Sequence, residues 1–355
     1  MIKNFNIKNS KIGLFSDIHI GLGQDSTVWY KNILEFAEWV KDLYISKNIS
    51  EIIIPGDIFH NRNEISVNTL NTAKEFFKIL KDFTIYISTG NHDCYYKDRS
   101  DVNSISLLDG WNNISVIDKD PQILTVSGSK KTISLIPWGV EYKDIPQTDI
   151  CIGHFEIVSF KLNSFNICDH GTESKDLLSK SPFIISGHFH QKAHRVYDNG
   201  QILYLGSPYQ QNFGDANDIR GVYILDLKTN EFEFIENNIS PVHVKISLKN
   251  LVDKKIDSKF LKESVPGNMV SLVVDINYPS EKISLLASKL QTLNPKFFRL
   301  DYQNNNDSPS LSEDRGEYDS IDIPQNIHDF VQALEINHKQ DTINYLNDLY
   351  TKLAI

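Results

Sequence analysis

The sequence predicts an α/β fold in which two β-sheets pack as a sandwich flanked by helices, followed by a small α+β cap and a C-terminal helical tail. Two observations carry this. Short apolar runs recur over the first 210 residues: KIGLFSD, EIIIPGD, TIYISTGNHD, ICIGHFE, FIISGHFH and ILYLGSP. Several of them end in Gly and a polar residue. Between the first three lie segments 29–45 and 69–83, whose apolar residues fall at helical spacing. Strand, helix, strand, helix, strand is the order of a partly parallel sheet.

Later strands follow with little helix between them, and GVYILDLKTNEFEFIE (221–236) reads as a hairpin. These features define a first domain, 1–240. Residues 241–300 place strand-like VHVKISL and MVSLVVDINY around helical SEKISLLASKLQTL, the pattern of a small α+β cap. Residues 301–320, DYQNNNDSPSLSEDRGEYDS, are almost without apolar side chains and read as a flexible linker. In 321–355 the chain is amphipathic again. Ile327, Phe330, Val331 and Leu334 stand at i, i+3, i+4 and i+7, and Ile343, Leu346, Leu349, Tyr350 and Leu353 repeat a similar face. Such helices can fold back on their own domain, but on a tether they suit docking on a partner.

With 40% hydrophobic and 23% charged residues in 355, the composition is that of a globular protein with room for two domains. Three cysteines (Cys94, Cys151, Cys168) fit a reducing compartment, and no apolar run approaches the ~18 residues of a membrane span. The first residues lack a long apolar core and a small-residue cleavage site. The expectation is a cytoplasmic enzyme with no membrane partner. The net charge of −10 is uneven: 241–300 holds 10 basic against 5 acidic residues, and 301–355 holds 3 against 11. The local field decides what approaches a surface, so the cap is a basic module on an acidic chain.

The apolar runs deliver polar residues where strands end: Asp17 and His19, Asp57, Asn91-His92-Asp93, His154, then His188 and His190. Ligand sites of open α/β sheets form at that carboxyl edge. One Asp after a Gly is usually a turn, and one His is usually a hydrogen-bonded core residue. Together, nitrogen and oxygen donors without a thiolate suit one or two borderline divalent ions such as Mn or Fe. His188 and His190 lie at i and i+2, which in an extended segment is about 7 Å on one side, so each can serve a neighbouring ion. Two anionic carboxylates, Asp17 and Asp57, leave two divalent ions strongly positive. Such a centre attracts phosphate and activates water for in-line attack on phosphorus.

The series Asp-x-His (17–19), Gly-Asp (56–57), Gly-Asn-His-Asp (90–93), Gly-His (153–154) and Gly-His-x-His (187–190) resembles the calcineurin-like metallophosphoesterase superfamily. Within it, three segments are similar to SbcD-type DNA-repair nucleases, including the recombination-endonuclease subunits of T-even-like phages. GDIFH (56–60) puts His60 three residues after Asp57. LIPWGVE (135–141) resembles the phage Ile-Pro-Trp segment, and YLGSPYQQNFGDANDIRG (204–221) resembles the family's Tyr-Gly-Ser/Thr-Pro continuation.

The resemblance implies one ion held by Asp17, His19, Asp57 and His190, and a second by Asp57, Asn91, His154 and His188, with Asp57 bridging. It implies that His92 acts beside the scissile phosphate and that His60 orients the substrate. Asp93 is expected to be structural, bonding backbone around its turn. Manganese, 3′-to-5′ exonuclease action on double-stranded DNA and endonuclease action on single strands are implied as well. So are a homodimer, an SbcC-type coiled-coil ATPase held by the tail, and the cytoplasm of a host cell. The chain has no G-x-x-x-x-G-K-[ST] phosphate loop, so an ATP-driven step belongs to another protein. The alternatives are a phosphomonoesterase or protein phosphatase on the same fold, and a non-catalytic scaffold subunit. Helix 69–83, with Phe76, Phe77 and Leu80 on one side, is a candidate dimer surface, or else packs on its own sheet.

Overall fold

The structure is a computed structural model that describes residues 4–23, 26–161, 167–303, 331 and 338–353. One sheet has seven strands in the order β1 (Asn4–Ile7), β6 (Gln122–Val126), β7 (Thr132–Ile136), β8 (Ile150–His154), β9 (Phe183–Gly187), β11 (Gly200–Tyr204) and β10 (Ala193–Tyr197). The other has six, in the order β13 (Phe232–Glu236), β12 (Gly221–Asp226), β2 (Lys11–Leu14), β3 (Glu51–Pro55), β4 (Thr84–Ser88) and β5 (Ile114–Ile117). Strands β2 to β5 are mutually parallel, joined through helices α1 (Thr27–Ser46) and α2 (Val67–Ile79) on the same side. β12 and β13 pair antiparallel, as the hairpin reading of 221–236 requires.

The two-residue period of a strand decides which core each side chain enters. In β3, Ile52 and Ile54 meet Ile33, Phe36 and Val40 of α1, whereas Ile53 turns to the opposite sheet. Ile150 and Ile152 of β8 and Ile185 of β9 meet Ile12, Leu14 and Ile53 between the sheets. Cys151, Ile184 and Ile202 point outward, onto Leu177 and Leu178 of α3 (Ser174–Leu178). The result is helix, sheet, sheet, helix. β3 is buried on both faces, which is why EIIIP reads as a continuous apolar run rather than an alternating one.

Helix α2 starts on Ser66, whose side chain accepts the N–H of Thr69. Phe76, Phe77 and Leu80 are fully buried in the core that holds Phe36 and Ile54. The alternative in which they line a dimer surface therefore falls: three large apolar side chains already spend their area on the sheet.

The cap is a parallel sheet of β14 (His243–Ser247), β15 (Met269–Val274) and β16 (Phe297–Tyr302). Parallel neighbours need crossovers. These are supplied by α4 (Leu248–Val252) with α5 (Ser258–Ser264), and by α6 (Ser280–Gln291). Asp301 pairs with Val273 and Tyr302 with Val274, so the strand runs two residues past the expected boundary at 300. The linker cannot begin at 301, because the parallel register of β15 holds those residues.

The cap and the first domain form one compact unit, Met1–Asn306. Gln210 Oε1 accepts the N–H of His243 at 2.6 Å, Lys296 Nζ lies 3.2 Å from Glu35 Oε2, and the Arg299 guanidinium sits 4.2 Å above the Phe213 ring. The second unit is Asp307–Ile355. In it α7 (Lys339–Leu353) spans the second amphipathic repeat, with Ile343 buried. Of the first repeat only Val331, which is helical, is described; Ile327, Phe330, Leu334 and all of 304–320 lie outside the described residues. No helix among the described residues is long and apolar enough to cross a membrane.

Candidate metal centre

Five strand ends converge at the carboxyl edge of the sandwich: the segments after β2, β3, β4 and β9, and the last residue of β8. They carry Asp17 and His19, Asp57, Asn91 and His92, His188 and His190, and His154. The backbone leaves each strand abruptly. Asp17, His19, Asp57 and His188 all have positive φ (57°, 51°, 55° and 89°), a region non-glycine residues seldom occupy. This strain turns the side chains off the sheet and toward one another.

The glycines before them let the strand ends touch. A Cβ on Gly90 would lie 2.2 Å from Asp57 Oδ1, and one on Gly56 would lie 2.6 Å from the Gly90 backbone and from His154 Nδ1. Hydrogen bonds lock the approach. Ser16 Oγ donates to Pro55 O at 2.9 Å, and the His188 N–H donates to the Asp17 carboxylate at 3.1 Å. Asp93, buried, accepts four backbone N–H groups: Asp57 and Gly90 on Oδ2, Ile58 and Phe59 on Oδ1. It braces the Gly-Asp and Gly-Asn-His-Asp turns and aims no oxygen at the other donors.

Asp17, His19 and His190 each bring a donor atom within 4.8 Å of one another, and Asp57, His154 and His188 do the same. Asp57 lies between the two groups, its Oδ2 being 3.5 Å from His19 Nε2 and 3.3 Å from His154 Nε2. Asn91 Oδ1 joins the second group, 3.0 Å from His154 Nε2 and 2.9 Å from His188 Nδ1. His19 Nε2 is 3.1 Å from His190 Nε2. His60 and His92 flank the first group, their rings stacked at 5.7 Å. All nine residues singled out from the sequence as ligands or catalytic groups thus meet at one place.

Three of the rings, His154, His92 and His188, are held by the far nitrogen, which leaves the near one for the centre. His154 Nδ1 donates to Pro55 O at 2.8 Å, and His92 Nδ1 donates to His60 O at 2.7 Å. His188 turns Nε2 to Glu156 Oε1 at 3.3 Å, so its Nδ1 faces Asn91. Burial, together with crowding by His92, His190 and His60, holds His19 well below the usual histidine range. Burial likewise lowers His190 to about 4 and pushes Asp17 up to about 7. For Asp57 burial favours the neutral acid, but His154, His92 and His19 outweigh it and keep the carboxyl ionised. A buried anion ringed by imidazole nitrogens is an environment that divalent cations complete. The donors, two Asp, one Asn and four His with no thiolate, fit two such ions.

Two contacts were not legible as site features. Glu156, two residues after His154, orients His188. Trp138, in the Ile-Pro-Trp segment, packs its ring 5.4 Å from His188 and 5.8 Å from His154. Nothing local marks either contact, since β8, β9 and the loop after β7 meet only in the folded sheet.

A family model for calcineurin-like phosphoesterases matches residues 10–192, which span every residue of this centre. The chain belongs to that family. This phosphoesterase is 32% identical over 232 residues to Exonuclease subunit 1 of Enterobacteria phage T4, a match covering 59% of this chain and 66% of that protein. It therefore spans just under two thirds of that relative's length. Among solved structures it is similar to an archaeal phosphodiesterase (14% identity, TM-score 0.36, 64% of this chain and 99% of that one). It is also similar to a dimetal phosphatase from Danio rerio (11% identity, TM-score 0.40, 64% and 95%). The family uses a dimetal centre, and the two donor groups sharing Asp57 are where this phosphoesterase has room for one.

Proposed function

We propose that this phosphoesterase is a metal-dependent DNA nuclease, the hydrolytic subunit of a DNA-repair or recombination complex. The observation that carries the reading is the pair of donor groups joined at Asp57 with His92 and His60 on their rim. The likeness to a phage exonuclease subunit supports DNA as the substrate.

In this reading Asp17, His19, Asp57 and His190 hold one ion, and Asp57, Asn91, His154 and His188 hold the other, with manganese preferred. When bound, the ions supply Lewis acidity to the phosphodiester and lower the pKa of a water. The remaining work falls to side chains. His92 is fixed through Nδ1, so Nε2 is presented to the substrate; in its imidazolium form that nitrogen donates a hydrogen bond to a phosphoryl oxygen or its proton to the leaving one. His60 is lowered to about 4 by burial and the neighbouring His92, so near neutral pH it is an uncharged hydrogen-bonding group that orients the strand.

The basic cap faces DNA, and the 321–355 segment docks on an SbcC-type coiled-coil ATPase, with the nuclease acting as a homodimer in the cytoplasm. Exonuclease action 3′-to-5′ on duplex ends and endonuclease action on single strands belong to the same proposal.

The test is digestion of end-labelled duplex DNA by the purified chain with manganese, beside His92→Ala and an aryl phosphate monoester. Loss of DNA in the wild type, reduced about 10²- to 10⁴-fold by the substitution, is the expected result. Turnover of the monoester with DNA left intact would make the chain a phosphatase.

A further inference from the structure

Immediately after the Gly-Asn-His-Asp turn the chain makes a short excursion with a pair of solvent-exposed tyrosines. Tyr95 is 49% and Tyr96 38% exposed, whereas Tyr204 and Tyr209, near the other strand ends, are buried with hydroxyls bonded to backbone. The two rings stand edge to face, centroids 5.0 Å apart at 87°. The Arg99 guanidinium lies 3.9 Å over the Tyr96 ring and covers it, so Tyr95 is the more open of the two.

This loop is anchored to the metal centre on both sides. Tyr95 N–H donates to Val102 O, Cys94 and Asn103 form an antiparallel bridge, and Ser104 N–H donates to Asp93 O at 2.8 Å. Lys97 O accepts the indole N–H of Trp138 at 2.8 Å, and it is this indole that packs on His154 and His188. Tyr95 is three residues from His92, so the two Cα atoms are no more than about 11 Å apart. Lys97 and Arg99 are balanced by Asp98 and Asp101, and Arg99 Nε pairs with Asp101 Oδ1 at 3.0 Å. A loop without net charge is not built to hold phosphate. What it presents at the rim is a flat π surface.

We propose that Tyr95, backed by Tyr96 and Arg99, is a stacking subsite for an unpaired nucleobase of the strand whose phosphate lies at the metal centre. The subsite rests on the nuclease reading above. Every base has a π face, so it favours single-stranded or frayed DNA without selecting sequence.

The test measures manganese-dependent cleavage of a single-stranded thymidine oligonucleotide by the full chain, beside a strand of abasic deoxyribose phosphates and the small diester bis(p-nitrophenyl) phosphate. Tyr95→Ala is expected to raise KM for the oligonucleotide on the order of tenfold, with a smaller change in kcat, and Tyr95→Trp to restore it. On the abasic strand Tyr95→Ala and the wild type are expected to share one KM, a result that mere loosening of the loop would not give. Equal KM values on the oligonucleotide, or a penalty that persists on the abasic strand, would overturn the subsite while leaving the nuclease in place. A wild-type chain that turns over the small diester but cleaves no strand would overturn both.

Discussion

The carboxylate of Asp93 accepts the backbone N–H of Asp57 at 2.8 Å, so a residue outside the donor groups fixes the one that lies between them. Three further N–H groups share the same carboxylate. Asp93→Ala leaves four donors without that acceptor inside a closed turn. The expected loss is about 3 kcal/mol or more of stability, read as a lower urea midpoint, together with loss of metal binding. An unchanged midpoint would mean that water replaces the carboxylate.

Gly90 tests close approach rather than hydrogen bonding. A Cβ there falls 2.2 Å from Asp57 Oδ1 and 2.5 Å from its backbone nitrogen. Gly90→Ala should cost about 1–3 kcal/mol by overpacking and displace the Asp57 carboxylate. Calorimetric titration with manganese is then expected to show fewer than two ions bound per chain.

Glu156 acts on one donor group only. Its hydrogen bond to His188 holds the imidazole, and the same bond is the main reason its own carboxyl lies below the ordinary range. Glu156→Gln weakens the orientation of His188 without touching Asp17, His19 or His190. One of two manganese affinities is expected to fall about 10- to 100-fold, the other staying within a few-fold. Equal weakening of both would show that the groups are not separable.

Metal loading should be strongly pH-dependent. Burial raises Asp17 to about 7. Burial alone would lower His154, but the Asp57 carboxylate outweighs it, with Asp17 adding to the effect, and raises His154 to about 9. Each group must shed its proton before it can donate a lone pair to an ion, so binding releases protons below these values and affinity rises with pH. For filling both ions together the expected slope is about two decades per pH unit below 7 and about one between 7 and 9, since Asp17 serves one ion and His154 the other. Proton release, measured by titration in buffers of different ionisation enthalpy, checks it directly.

The nine converging residues were legible as candidates because each follows an apolar run that is self-evidently a strand, and α/β sheets put functional groups at the carboxyl ends of their strands. The unbroken runs EIIIP and FIISG likewise mark strands buried on both faces. Asp93 was legible as a structural residue, since a carboxylate beside a Gly-Asn turn has backbone N–H groups within reach.

The sequence by itself therefore determined the α/β class, the candidate donors and the presence of a cap. Tertiary structure alone decided how they meet. His19 and His190 are 171 positions apart, and so are Asp17 and His188, yet each pair is in contact. Local periodicity says which face of an element is buried, not which element covers it. For that reason Glu156 and Trp138 stayed silent, Phe76 and Phe77 could be read for either of two surfaces, and β16 ran past its expected end into a register set by β15. Those choices are made by long-range packing of sheet on sheet and strand on strand, where the contacting atoms are neighbours only after the chain has folded.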